Sequence, residues 1–137
     1  MPEQAVDRAS HAYVDVELCF DADLRYIPLA RSVSAEVAER EGADMAYVER
    51  VRHVAGQVAA ALVVVADDEA TVECLLRVLD GQIRLRMCVE ARRAPGPEST
   101  AEHARLLDQL IVSASTITRP GPDGGYSVAC DAFIPLE

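Results

Sequence analysis

Two isolated histidines, His53 and His103, are the residues of this sequence best suited to acid–base or metal chemistry, because imidazole titrates near neutral pH and binds metals readily. Nothing in the sequence places them together, and each lies on a separate predicted helix. Lone histidines of this kind are typical of surface or packing positions. The acidic run at 67–69 offers carboxylates for a cation, but an acidic turn after a helix is the commoner meaning of such a run.

The nucleophilic side chains are equally scattered. The four cysteines, which lack the close pairs that a zinc site normally supplies, are Cys19, Cys74, Cys88 and Cys130. In a chain without a secretory signal, we expect four reduced and mostly buried thiols. Ser113, Ser115 and Thr116 lie near the start of a predicted strand, and no serine lies in a nucleophile elbow. The sequence therefore predicts neither a hydrolase nor a metal site.

Hydrophobic periodicity predicts the elements in the first half of the chain. Residues 11–20 alternate between apolar and polar side chains, which indicates a half-buried strand. Residues 24–41 and 44–66 instead repeat apolar side chains at three and four positions, which indicates two amphipathic helices. Asp23 is suited to an N-cap, Asp44 starts the second helix, and Gly42 is suited to end the first helix.

The second half begins with a predicted hairpin. Residues 71–79 and 82–90 read as strands, and Asp80-Gly81 between them favours a type I′ turn, which needs positive φ at both positions. The remaining predicted elements are a loop at 91–100, a helix at 101–112, a strand at 113–119, a turn at 120–125 and a strand at 126–133. The order strand–helix–helix–strand–strand–helix–strand–strand predicts a two-layer α+β sandwich, with helices on one face of a mainly antiparallel mixed sheet.

Composition limits the classes of function. At 137 residues the chain is long enough for one domain, which we place at 11–137 behind a flexible N-terminus at 1–10. The formal charge of −10 argues against nucleic acid as a direct partner. We find no signal peptide, and the longest apolar run, 58–66, is too short to span a membrane. We therefore expect a cytoplasmic protein with no membrane contact.

The element order resembles the GHKL (histidine-kinase-like ATPase) fold, and in particular the bacterial anti-sigma factors that double as serine-protein kinases in stress and sporulation control. The resemblance covers 13–135. It rests on the Asp-x-Asp between the first strand and helix at 21–23, on the long helix that begins at Asp44, and on the closing Gly-Pro-Asp-Gly-Gly-Tyr-Ser-Val at 121–128. Their order and spacing together carry the resemblance.

The resemblance also implies that the family's ATP chemistry is lost here. Family members carry a catalytic Glu on the second helix and, four residues later, an Asn that helps to hold magnesium; at this spacing the two share one helix face. The matching positions hold Gln57 and Ala61. Gln is not a general base, and Ala offers no oxygen. The chain contains no Asn at all, so no other alignment restores that ligand.

Two further family motifs are altered. The adenine-binding Asp-x-Gly-x-Gly corresponds to 89–97, where Glu90 is an imperfect substitute for the Asp and Gly96 is the one glycine left. The glycine-rich segment before the third helix corresponds to 102–106, which has no glycine and adds a carboxylate. Arg92-Arg93 is either a remaining anion site or a solvated dipeptide. We expect no nucleotide, no metal and no other cofactor.

The function implied by the resemblance is an anti-sigma-like regulator that binds a sigma factor or an anti-anti-sigma protein without kinase activity. Arg31 matches a helix Arg with which such proteins hold the sigma factor, although a solvated Arg on a helix flank is the simpler interpretation. Family members dimerise around the first strand and helix, so we expect a homodimer. The alternatives are an active serine kinase with a divergent ATP site and a small-ligand sensor that uses the vacated pocket.

Overall fold

The computed structural model describes residues 13–92, 105, 113–121 and 124–136. In chain order its elements are β1 (Tyr13–Asp21), a 3-10 turn (Leu24–Tyr26), α1 (Ile27–Arg40), α2 (Met45–Val65), β2 (Thr71–Leu79), β3 (Gln82–Ala91), β4 (Ser113–Pro120) and β5 (Tyr126–Ile134). Arg105 is helical, but the rest of the predicted third helix lies outside the described residues. So do most of the predicted loop at 91–100 and the whole of 1–10.

The five strands form one sheet in the order β1-β2-β3-β5-β4. Every neighbouring pair is antiparallel, so the described sheet is wholly antiparallel rather than mixed. β4 and β5 pair with each other, and β5 rather than β4 lies beside β3. The predicted α+β class is confirmed. The order of the strands in the sheet was not predicted from the sequence.

Local signals correctly placed the hairpin turn, the start of α2 and the end of α1. Asp80 and Gly81 have φ of 54° and 79°, as the type I′ hairpin requires. Asp44 accepts a hydrogen bond from the Tyr47 amide at 2.9 Å and so caps α2. Gly42 has φ of 83° and follows the end of α1. These three features explain why the chain changes direction where it does.

The start of the first helix differs from the prediction. Asp23 accepts a hydrogen bond from the Arg25 amide at 2.9 Å, but the turn that it caps is 3-10. The α-helix begins at Ile27, with Pro28 in its first turn, where the missing N–H costs no intrahelical hydrogen bond. The predicted helix at 24–41 is thus a 3-10 turn followed by α1.

One hydrophobic core joins the helices to one face of the sheet. α2 packs against β2, β3 and β5, and α1 packs beside α2. The predicted stripe of α2 is wholly buried and consists of Val48, Val51, Ala55, Val58 and Leu62. Alternate residues of the central strands meet it, namely Val72, Cys74, Leu76 and Val78 on β2 and Ile83, Leu85, Met87 and Val89 on β3. The two described helices therefore cover one face, and the third predicted helix lies outside the described residues.

The other face of the sheet, which we call the open face, carries the intervening residues. On β2 and β3 these include Glu73, Arg77, Arg84, Arg86 and Glu90, all of them exposed. On β1 the same alternation buries Phe20 and exposes Asp15 and Glu17. Among the described residues, neither helix is both long enough and apolar enough to span a bilayer.

Candidate functional site

Arg31 lies on the exposed side of α1, and its stem rests on α2. The contact is made at Gly56, which is buried. A Cβ atom added there would lie 2.8 Å from Nε of Arg31 and 3.1 Å from its Cγ. Glycine at position 56 therefore leaves the space in which the Arg31 side chain lies flat across the second helix.

The guanidinium of Arg31 has no acidic partner in the described parts of the chain. Salt bridges there engage other arginines instead, namely Arg25, Arg40, Arg52, Arg77, Arg86 and Arg92. Pro28, one helical turn before Arg31, and the neighbouring Leu29 are also exposed. This part of α1 thus offers a charged group held over a helix–helix contact, next to apolar surface.

Gln57 and Ala61 lie one turn apart on a half-buried face of α2, as the sequence predicts for the vestigial nucleotide site. His53, one turn earlier, is exposed, and Val64, three residues after Ala61, is 75% exposed. Between His53 and Val64 this face carries no carboxylate; the nearest one on α2 is Glu49, one turn before His53, which is exposed and paired within the helix. Gln57 and Ala61 themselves supply neither a carboxylate ligand for magnesium nor a general base.

A cleft of about 220 Å³ lies where β3 ends, and its walls are Asp67, Glu90, Ala91, Arg92, Gly121, Gly125 and Tyr126. The amide of Asp67 donates to the Glu90 carbonyl at 3.0 Å, which joins the turn after α2 to the end of β3. A Cβ on Gly125 would lie 2.9 Å from the Ala91 carbonyl oxygen, so glycine permits the close approach of β5 to β3 here.

The cleft brings together some of the predicted positions and not others. Glu90 lies in its wall, but Gln57 and Ala61 do not. Arg92 has its Nε 3.7 Å from Oδ1 of Asp67, so it faces a carboxylate. Gly96, Arg93 and His103 lie outside the described residues. With two carboxylates and one guanidinium, the described lining is net negative, which disfavours phosphate.

A buried polar cluster at the start of α2 was not predicted. The Tyr47 hydroxyl accepts a hydrogen bond from the Ile83 amide at 2.8 Å and donates one to the Ile134 carbonyl. Arg50 lies over the Tyr47 ring at 5.2 Å and donates to the Pro135 carbonyl at 3.0 Å. Burial raises the pKa of Tyr47. The sequence offered one signal for this cluster, because Tyr47 lies one helical turn before Val51 and so continues the apolar stripe of α2.

The four cysteines are all free thiols, but only two are buried. Cys74 and Cys130 face the core, Cys88 is half-buried and Cys19 is exposed, so the expected burial holds for half of them. Burial raises the pKa of Cys74 to about 12. Among the described residues, no three His, Cys, Asp or Glu side chains form a group that could hold a metal ion.

No protein-family model matches the sequence, and no curated protein matches it. The GHKL assignment therefore remains a prediction that rests on element order and motifs. The described residues form an α+β sandwich, with Arg31 exposed on its helical layer and no described element over the second face of its sheet.

Proposed function

We propose that the protein is a regulator of the anti-sigma type, which binds a sigma factor or an anti-anti-sigma protein through the helical layer and has no ATP-dependent kinase activity. The observation that carries the proposal is the position of Arg31, whose stem lies across Gly56 while its guanidinium has no acidic partner among the described residues. Such an arginine is suited to receive a carboxylate from another protein.

The contact with Gly56 favours binding for a physical reason. A long side chain loses rotamer entropy when a complex forms, and this loss opposes association. Because the stem of Arg31 already lies against α2, part of that loss has been incurred on folding. A bidentate pair with a partner carboxylate then contributes more of its energy to affinity.

The absence of kinase activity is proposed from the residues at the family's catalytic positions. Gln57 and Ala61 share the expected face of α2 without supplying a general base or an oxygen for magnesium. In the described residues the lining of the cleft near Glu90 is net negative, and its volume is below the usual 300 Å³ or more, roughly, of a small-molecule site, so it gives little support to a sensor function.

The expected homodimer around the first strand and helix also remains a proposal. In the described sheet β1 is paired on one side only, which leaves its outer edge for a second copy. Phe20 is buried in its own core, and Val16 and Leu18 pack against that core. A dimer through β1 would therefore use its backbone edge rather than these side chains.

Arg31→Ala tests the binding proposal. We expect the affinity for the cognate sigma factor, taken from the source organism and measured by calorimetry, to fall at least about tenfold, which is about 1.4 kcal/mol. Arg31→Lys should recover only part of the loss, because Lys keeps the charge without the bidentate fork. Arg40→Ala is the matched control, since Arg40 is exposed on the same helix and pairs with Glu36 within it. Unchanged affinity in Arg31→Ala would refute the assignment.

Equilibrium binding of magnesium-ATP tests the negative half of the proposal. We expect no measurable binding, because neither Gln57 nor Ala61 replaces the missing magnesium ligand. Micromolar affinity together with phosphate transfer to an anti-anti-sigma protein would establish the rival, an active serine kinase with a divergent site.

A further inference from the structure

Three arginines lie close together on the open face of the sheet, on the side of the molecule opposite the helices. We call Arg77, Arg84 and Arg86 the arginine cluster. The whole chain has 13 basic and 23 acidic residues, so this grouping runs against its overall charge. The three side chains border a hollow of about 240 Å³, together with Leu75 and Asp131.

The strand register places these like charges against one another. Arg77 and Arg84 are directly opposite across the β2–β3 hairpin, and Arg86, two residues further along β3, is opposite Leu75. Like charges directly opposite in a sheet are destabilising. The facing of Arg77 and Arg84 therefore adds nothing to stability by itself, and an acidic ligand on the open face would balance it.

Arg77 and Arg86 are already neutralised by carboxylates of the chain, whereas Arg84 has no such partner among the described residues. Arg77 binds Asp15 through Nε–Oδ1 and Nη2–Oδ2 contacts of 2.8 and 3.1 Å, and this hydrogen bonding lowers the pKa of Asp15. Arg86 reaches Asp131 at 3.3 Å. Arg84 lies over the Phe133 ring at 5.9 Å and has no carboxylate partner among the described residues.

Apolar side chains also lie in and around the hollow. Leu75 lies in it, Phe133 lies beside Arg84, and Leu79 at the end of β2 is 49% exposed. A surface that combines guanidinium groups with leucine and phenylalanine fits a peptide with both carboxylate and aliphatic side chains. A nucleic acid fits less well, because it has no aliphatic side chain to place on Leu75 and carries a charge on every nucleotide, which the formal charge of −10 repels more strongly than a short peptide.

We propose that the open face binds an acidic, leucine-containing peptide segment of a partner protein, with a partner carboxylate on Arg84 and an aliphatic side chain on Leu75. This surface is distinct from the one around Arg31 and lies on the other layer of the fold. The inference therefore goes beyond the function proposed above, and a partner on the helices leaves the open face accessible.

The test is equilibrium binding of a short fluorescein-labelled peptide of alternating Glu and Leu, followed by fluorescence anisotropy. We expect binding that weakens as salt is raised, and a loss of roughly tenfold in Arg84→Gln, in line with one charge-assisted pair. Arg119→Gln is the matched control, because Arg119 is exposed on β4 opposite Ser127, away from the cluster. A peptide with Gln in place of Glu should not bind.

Three results would overturn the proposal: no binding of the acidic peptide, equal affinity in Arg84→Gln, or tighter binding of a single-stranded oligonucleotide than of the peptide. Thermal melting gives a second readout that does not depend on any ligand. Because Arg84→Gln removes the like charge opposite Arg77 but also the contact with the Phe133 ring, we expect its melting temperature to stay close to that of the wild type. A clear decrease would contradict the assignment of the cluster to function rather than stability.

Discussion

The two faces of the sheet are built from the same strands but serve different purposes. On β2, even-numbered residues such as Leu76 are fully buried under α2, whereas odd-numbered residues such as Arg77 meet solvent. The helix-facing side is almost wholly aliphatic, and the open face is charged, with a few large apolar side chains among the charges. Period-2 alternation lets nine residues of one strand satisfy both requirements at once.

Leu75 and Leu76 provide the strongest test of this contrast, because they are neighbours of the same type on opposite faces. Leu76 is 0% exposed, so Leu76→Ala should lower the free energy of unfolding by about 2–5 kcal/mol through lost burial and a cavity. Leu75→Ala should lower it by less than about 1 kcal/mol, since its site is half-open and leaves no closed cavity.

Urea denaturation of the two variants measures both effects. Equal losses would mean that the open face is covered in solution, for example by a second copy, and would contradict the difference between the two faces. A small loss for Leu75→Ala, combined with weaker binding of the acidic peptide, would instead support a difference in function as well as in burial.

Much of this contrast could be predicted from the sequence, because it depends on local periodicity. The alternation of β1, the stripe of α2, the caps at Asp23 and Asp44, and the turn at Asp80-Gly81 are all local signals. The strand order is not local, since β3 and β5 pair across more than thirty residues, from Ala91 to Tyr126 at their nearest. Side-chain periodicity carries no information about which strand becomes a neighbour.

The candidate sites were predicted less completely, for related reasons. The positions of Gln57 and Ala61 on one helix face follow from helical spacing, but the contact of Arg31 with Gly56 depends on how two helices cross. The arginine cluster was within reach of sequence reasoning. A two-residue turn at Asp80-Gly81 fixes the hairpin register and so sets Arg77 opposite Arg84.

Tyr47→Phe tests the helix-facing side at a buried polar contact. The change removes a hydroxyl that serves two buried backbone groups, the Ile83 amide and the Ile134 carbonyl. Each group left without a partner costs about 1–3 kcal/mol, so for the two groups we expect a loss of about 2–6 kcal/mol in unfolding free energy. The matched control is Tyr26→Phe, because Tyr26 is only half-buried and lies before α1. A loss below that of the control would show that water replaces the hydroxyl.

Alkaline pH is expected to destabilise the fold by ionising buried groups on the helix-facing side. Its effect per pH unit should be smaller than the effect of Leu76→Ala or Tyr47→Phe. Burial raises the pKa of Cys74 from 9.0 to about 12 and also raises that of Tyr47 above 10.0. The unfolded thiol therefore loses its proton first. The contribution of Cys74 to stability is complete below pH 9 and is lost as pH rises towards 12, by up to about 1.4 kcal/mol per pH unit.

Urea midpoints measured between about pH 8 and pH 11 should therefore fall more steeply in the wild type than in Cys74→Ala, which has no buried thiol to ionise. Cys19→Ala is the control from the open face, because its thiol meets solvent in the folded chain. We expect it to keep most of the slope of the wild type, because burial is the largest cause of the raised pKa of Cys74 and the nearby Cys19 thiol is a smaller one. If Cys74→Ala also kept the slope of the wild type, the alkaline loss would have to be assigned to other buried groups with a raised pKa, chiefly Tyr47 and Cys130. Matching series in Tyr47→Phe and Cys130→Ala would decide between them.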